Sequence, residues 1–291
     1  MAYTDGYWWS NDGLRLHYRD YAGDDPARPP ILCIPGLTRN ARDFEGLAER
    51  LAGAWRLLCV DLRGRGESAY AKDPMTYVPL TYVQDLEALL RGLAIDRFVL
   101  AGTSMGGLLA MLLGAAEAER LDGLILNDVG ADLDEAGLAR IRATVGRSST
   151  WPTWVHAARD FADLHREAFP DRGLEEWLVF AKRMARIGSA GRIVPDYDMR
   201  IAEPFKLGSP IAGLDMWGAW RAMTGVPALI VRGATSDILS PDTMARMLSA
   251  NAAAEAVTIP GIGHAPTLDE TDAQAAIDRL LARIGERQAF V

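Results

Sequence analysis

The rhythm of apolar and polar positions changes three times along the chain. In GLRLHYRDYAG (13–23) the two alternate, a period of two that predicts an exposed antiparallel strand. PPILCIPG, WRLLCVDLRG, RFVLAGTS and LDGLILNDVG are short, nearly unbroken apolar runs ending in turn residues. Such runs predict parallel strands buried on both faces. Between them, FEGLAERLAG, TYVQDLEALLRGLAI and MGGLLAMLLGAAEAER are amphipathic helical segments. Strand and helix alternating in this way predict a doubly wound α/β sheet with helices on both faces.

The alternation stops after residue 130. From about Asp132 to Trp217 no strand is predicted. LDEAGLARIRATVG, WPTWVHAARDFADLHREAF and LEEWLVFAKRMARIG are helical stretches rich in large aromatic residues. Strands return at VPALIVRG and AAEAVTIPGIG, and TDAQAAIDRLLARIG predicts a final amphipathic helix. The pattern predicts a core domain made of residues 1–131 and 218–291, interrupted by a helical cap over 132–217.

Composition narrows the function without naming it. A chain of 291 residues with 49% hydrophobic and 24% charged residues is long enough for one large core. Its net charge of −8 argues against a nucleic-acid or anionic-membrane surface. No apolar run approaches membrane-helix length, and MAYTDGYWWSNDG lacks the pattern of a secretory signal, so a cytoplasmic protein is expected. Cys33 and Cys59, both inside apolar runs, are expected as buried reduced thiols. Neither a ligand-spaced His/Cys set nor a glycine-rich nucleotide loop is present, so no metal or organic cofactor is expected. The expected partner is a small-molecule substrate, bound by a monomer or homodimer.

The chemistry gathers at AGTSMGG (101–107). A serine between two glycines, at the junction of a strand and a helix, reads as a nucleophile on a strained turn. Gly102 and Gly106 are required there because side chains would collide. Ser104 needs a base, and the chain has four histidines. His17 lies on the alternating strand as a surface or packing residue, and His156 and His165 lie on cap helices. His264, in the turn PGIGHAPTLDE after the last strand, is the expected base. The carboxylate that orients it is expected to be Asp237, in VRGATSDILSP, with Asp128 in LILNDVG as the rival. The backbone N–H groups of Met105 and of Leu37, in PGLTRN, are expected to hold the oxyanion of an acyl-transfer intermediate.

With Ser104, Asp237 and His264 in this order, the chain resembles the α/β-hydrolase superfamily. The resemblance rests on CIPGLTRNARDFEGLA, DLRGRGESA, AGTSMGG, RGATSDILS and GIGHAPTLDE. It implies an eight-stranded, mostly parallel sheet with a helical cap inserted after strand 6. It also implies that Arg63 and Arg65 organise the core. Below the superfamily, the chain is similar to the serine-nucleophile branch of enol-lactonases, carboxylesterases, carbon–carbon bond hydrolases and cofactor-free haloperoxidases. The expected activity is hydrolysis of a carboxylic ester or lactone through an acyl-enzyme. The alternatives are carbon–carbon bond hydrolysis, perhydrolysis, and a ligand-sensing protein on the same fold. Trp151, Trp154, Trp177, Phe180, Met184, Trp217 and Trp220 suggest an apolar pocket above Ser104, with Trp154, Trp177 and Met184 as substrate contacts. Arg39, two residues beyond Leu37, is a candidate for pairing with a substrate carboxylate.

Overall fold

The computed structural model describes residues 2–206 and 213–288. The apolar runs become the parallel part of one eight-stranded sheet: β3 (Ile31–Ile34), β4 (Leu57–Asp61), β5 (Phe98–Thr103), β6 (Leu121–Asn127), β9 (Ala228–Gly233) and β10 (Ala254–Ile259). Two antiparallel strands at the amino-terminal edge, β1 (Thr4–Trp9) and β2 (Arg15–Tyr21), complete the order β1-β2-β4-β3-β5-β6-β9-β10. Successive side chains of a strand leave by opposite faces, which gives the sheet two apolar cores. Leu32, Leu58, Leu100, Leu124 and Ile230 face one layer, with helices α2 (Pro79–Gly92) and α3 (Met105–Ala116). Their neighbours Cys33, Cys59, Val99, Ile125 and Leu229 face the other, with α1 (Glu45–Leu51) and the last helix, Thr271–Gln288. Cys33 and Cys59 are free thiols, paired across β3 and β4 and fully buried.

Between β6 and β9 the chain leaves the sheet for the predicted helices α4 (Glu135–Thr144), α5 (Trp154–His165) and α6 (Leu174–Met184). It then adds a hairpin of β7 (Ala185–Ile187) and β8 (Ile193–Pro195) that the sequence pattern does not predict. Strands of three residues are too short to display a period. A short α7 (Glu203–Lys206) follows, and residues 207–212, within the expected cap, lie outside the described residues. Trp151, Phe161, Phe169, Trp177 and Phe180 form an aromatic core of the inserted helices, separate from the two layers of the sheet.

The chain rejoins the sheet through α8 (Met216–Ala222), which packs on α3, before β9, α9 (Pro241–Ala250), β10 and α10, the last helix. Trp220, on α8, is therefore not a cap residue. It is fully buried in the sheet's own core, where its Nε1–H donates to the Met247 carbonyl at 3.0 Å. The insertion is seated on two loops of the sheet. Asn40 Nδ2 donates to the Arg183 carbonyl at 2.9 Å, Asp198 N–H donates to the Gly64 carbonyl at 2.7 Å, and Tyr77 O–H donates to Asp198 Oδ2 at 2.8 Å.

The DLRGRGES loop is organised by its arginines. Arg63 forks onto Asp85 with both members buried, and its other face meets Asp12. Arg65, with no exposed surface, donates its Nε–H to the Leu37 carbonyl at 2.6 Å while its guanidinium stacks over the Tyr82 ring. A buried cation thus holds the loop that carries Leu37.

His17 is buried, with Nδ1 2.7 Å from Asp61 and Nε2 2.9 Å from Asp5. Burial opposes its charge, but the two carboxylates outweigh burial and raise its pKa above the usual value. A raised folded-state pKa gives a stabilisation that is complete below the unfolded value, about 6.5, and is lost as pH rises through the folded one. The melting-temperature deficit of His17→Gln relative to wild type should therefore shrink steadily between pH 6 and 9. A deficit that grows with pH would contradict this pairing.

Candidate active site

Ser104 occupies the turn between β5 and α3 with φ 54° and ψ −119°. This is a backbone conformation that a non-glycine residue holds only at a cost of order 1–3 kcal/mol. The flanking glycines make the turn sterically feasible. A Cβ on Gly102 would lie 2.4 Å from the Gly106 carbonyl oxygen, and one on Gly106 would lie 2.0 Å from the Ile34 carbonyl oxygen. Both obstacles are backbone, which cannot swing aside. Gly106→Ala should cost about 3 kcal/mol of stability, the upper end for overpacking, and displace Ser104; thermal melts and turnover, measured together, check this.

The Oγ–H of Ser104 points at His264, with Oγ and Nε2 2.8 Å apart. The other ring nitrogen, Nδ1, lies 2.7 Å from a carboxylate that belongs to Asp128 and not to the expected Asp237. Asp128 stands just beyond the carboxyl end of β6, between the strand that delivers Ser104 and β9. Its φ of 55° turns the chain back, and its N–H donates to the Val231 carbonyl at 2.7 Å. Gly233 N–H donates to one carboxylate oxygen at 2.8 Å, and Ser236 Oγ–H donates to the other, the one facing His264, at 2.6 Å. Asp128 has no exposed surface. It is a buried anion held by three donors, the imidazole among them, as a buried charge requires.

Asp237 is occupied elsewhere. Arg140, on α4, grips its two oxygens with Nε–H and Nη2–H at 2.6 and 2.8 Å. Burial works against ionisation of Asp237, but the guanidinium outweighs it and holds the carboxyl below the usual range. The pair ties the insertion to the loop after β9.

Asn127 carries no signal in the sequence beyond a polar residue at a strand end. Its buried amide donates to Thr103 Oγ1 at 3.1 Å and to the Pro266 carbonyl at 2.8 Å, linking the strand under Ser104 to the loop bearing His264. Met105 N–H opens α3 and so has no intrahelical acceptor. Leu37 N–H meets no protein acceptor among the described residues, and its residue borders Ser104 on both sides. The two amides expected as donors are thus available.

A cavity of about 380 Å³ opens above Ser104, beneath the inserted helices. Arg39 and Met184 line it, as does His165, which the sequence places only on a helix face. Trp154 and Trp177 do not line it. Trp177 is buried against Phe169 and Phe180, and Trp154 packs on the same aromatic core. Arg39 lies over the Phe180 ring at 4.5 Å and pairs with Asp43, its Nε–H donating to Oδ2 at 2.6 Å and its Nη2 lying 2.6 Å from Oδ1. His156 is exposed and bonded to Thr153.

A hydroxyl bonded to an imidazole, itself bonded to a buried carboxylate, can lose its proton as it attacks a carbonyl. The chain is similar to known hydrolases. The sequence profile described as alpha/beta hydrolase family matches residues 31–277. A 3-hydroxybutyrate-oligomer hydrolase of Cupriavidus necator is 34% identical over 271 residues, covering 90% of this chain and 91% of its own. The crystal structure of an alpha/beta hydrolase from Novosphingobium aromaticivorans superposes with a TM-score of 0.93 at 56% identity, covering 97% of this chain and 99% of that one. A hydrolase structure from Rickettsia typhi, designated putative, gives a TM-score of 0.84 at 26% identity over 97% and 99%. Among the described residues no helix is long and apolar enough to cross a membrane.

Proposed function

The chain belongs to the alpha/beta hydrolase family, and from that premise we propose that it hydrolyses short carboxylic esters through an acyl-enzyme on Ser104. The observation that carries the reading is the unbroken line of hydrogen bonds from Ser104 Oγ through His264 to the buried Asp128 carboxylate. His264 Nε2 takes the serine proton as Oγ bonds to the ester carbonyl carbon. The amides of Leu37 and Met105 receive the resulting oxyanion, each donor being worth on the order of 3 kcal/mol to the transition state. The tetrahedral intermediate collapses, the C–O bond to the alcohol breaks, and His264 returns its proton to the leaving oxygen. Water then enters, gives its proton to His264 and attacks the acyl-enzyme. The acid leaves and Ser104 recovers its proton.

Oligoesters of short hydroxy acids are the substrates to try first, because the relative from Cupriavidus necator is named for cleaving 3-hydroxybutyrate oligomers. Multiple-turnover release of p-nitrophenol from p-nitrophenyl acetate, butyrate and octanoate tests the reaction class. Turnover is expected to be highest for the shorter acyl chains. A stoichiometric burst followed by a stall, or no release from folded protein, would count against an ester hydrolase.

A further inference from the structure

Two cavities of opposite character meet at Ser104. The larger, of about 380 Å³, is lined by Arg39, Arg140, Arg147 and Arg183; Asp43 and Asp160 share its wall, Asp43 pairing with Arg39, and Asp237 neutralises Arg140 from outside it. Arg147 has no acidic partner among the described residues, and the ion pairs of Arg183, at 3.7 and 3.8 Å, are long. This concentration of positive charge stands in a protein of net charge −8. The smaller cavity, of about 60 Å³, is walled mainly by carbon, from Met105, Leu108, Val129, Leu133 and Ile238. Its volume admits roughly four to six water-sized atoms.

A titratable group in the wall registers the field of the larger cavity. His165 has its pKa pulled down to about 3, by burial first and then by the charges of Arg39, Arg140 and Arg172. It stays neutral at physiological pH and adds no charge of its own to that of the arginines.

The position of His264 gives the site a direction. It borders the arginine-lined cavity, while the apolar one is reached past Ser104 and Met105. The proton on Nε2 must go to the leaving oxygen, so the alcohol half of the ester lies on the arginine side and the acyl half on the apolar side.

Resting on the ester-hydrolase reading, we propose that the substrate is an ester whose alcohol half is a hydroxy acid with a free carboxylate, held by Arg39 and Arg147, and whose acyl half is short and apolar. Cleavage releases the hydroxy carboxylate first and leaves the short acyl group on Ser104. Arg39 rests over the Phe180 ring, and its ion pair with Asp43 runs through Nε and the Nη2 side of the guanidinium, leaving Nη1 for a ligand.

Three esters test this. 3-Butyryloxybutyrate carries its carboxylate in the alcohol half. Its methyl ester removes the charge. The isomeric sec-butyl hydrogen succinate moves the carboxylate to the acyl half at the same formula and charge. The kcat/KM for the first should exceed that for each of the others by about tenfold or more, the scale of a charge-assisted hydrogen bond. The ratio of the first to its methyl ester should fall towards one in Arg39→Ala or in Arg147→Ala. Equal rates on the acid and its methyl ester, a preference for the succinate isomer, or a ratio intact in both variants would overturn the inference. p-Nitrophenyl butyrate separates the two levels. Folded protein that cleaves it without discriminating the three esters refutes only this proposal, while protein that cleaves none of the four refutes the hydrolase reading itself.

Discussion

Asp128→Asn is expected to lower kcat/KM on p-nitrophenyl butyrate by about 10,000-fold, the loss seen where an orienting aspartate is made neutral. An amide at this position cannot accept the Nδ1–H of His264 as a carboxylate does, and it leaves the imidazolium formed during attack without a counter-charge. It also places an NH₂ group among donors from Gly233 and Ser236 that already point inward. Asp237→Asn should cost less than about tenfold, because that carboxylate faces Arg140. Its pair is more than a third exposed on both sides, so its loss should change stability by no more than about 1 kcal/mol. Kinetics and melting curves of both variants decide the matter. A large loss in Asp237→Asn with a small one in Asp128→Asn would restore the order of residues that the sequence suggests.

Ser104→Ala should reduce kcat by on the order of 10⁵-fold to 10⁶-fold, the loss found when a serine nucleophile is removed from an intact triad. Folding should survive, because the methyl group keeps the volume and only the bond to His264 is lost. Ser104→Gly should abolish turnover equally and melt higher than Ser104→Ala, since glycine adopts φ 54° without strain. Residual turnover within tenfold of wild type in either variant would remove Ser104 as the nucleophile.

The sequence on its own determined whatever depends on neighbours along the chain. Buried strands announce themselves as apolar runs such as ILCI and LLCV because both faces of a parallel strand are covered. The turn at Ser104 is legible because the clashes that demand Gly102 and Gly106 arise within a few residues and against the adjacent strand. His264 stands out because one histidine in four follows the last strand in a glycine-rich turn.

The choice between Asp128 and Asp237 is of another kind. Each carboxylate follows the end of a strand, and position along the chain treats them alike. Only tertiary structure sets Asp128 between the strands of Ser104 and β9, beneath the amide of Gly233 and the hydroxyl of Ser236, and brings Arg140 from α4 across to take Asp237. The cap aromatics follow the same logic. Trp177, Phe180 and Met184 share helix α6, but packing buries Trp177 in the aromatic core and leaves Phe180 and Met184 on the cavity. Local sterics and periodicity are written in the order of residues. Which charge meets which depends on a packing geometry that no stretch of sequence contains.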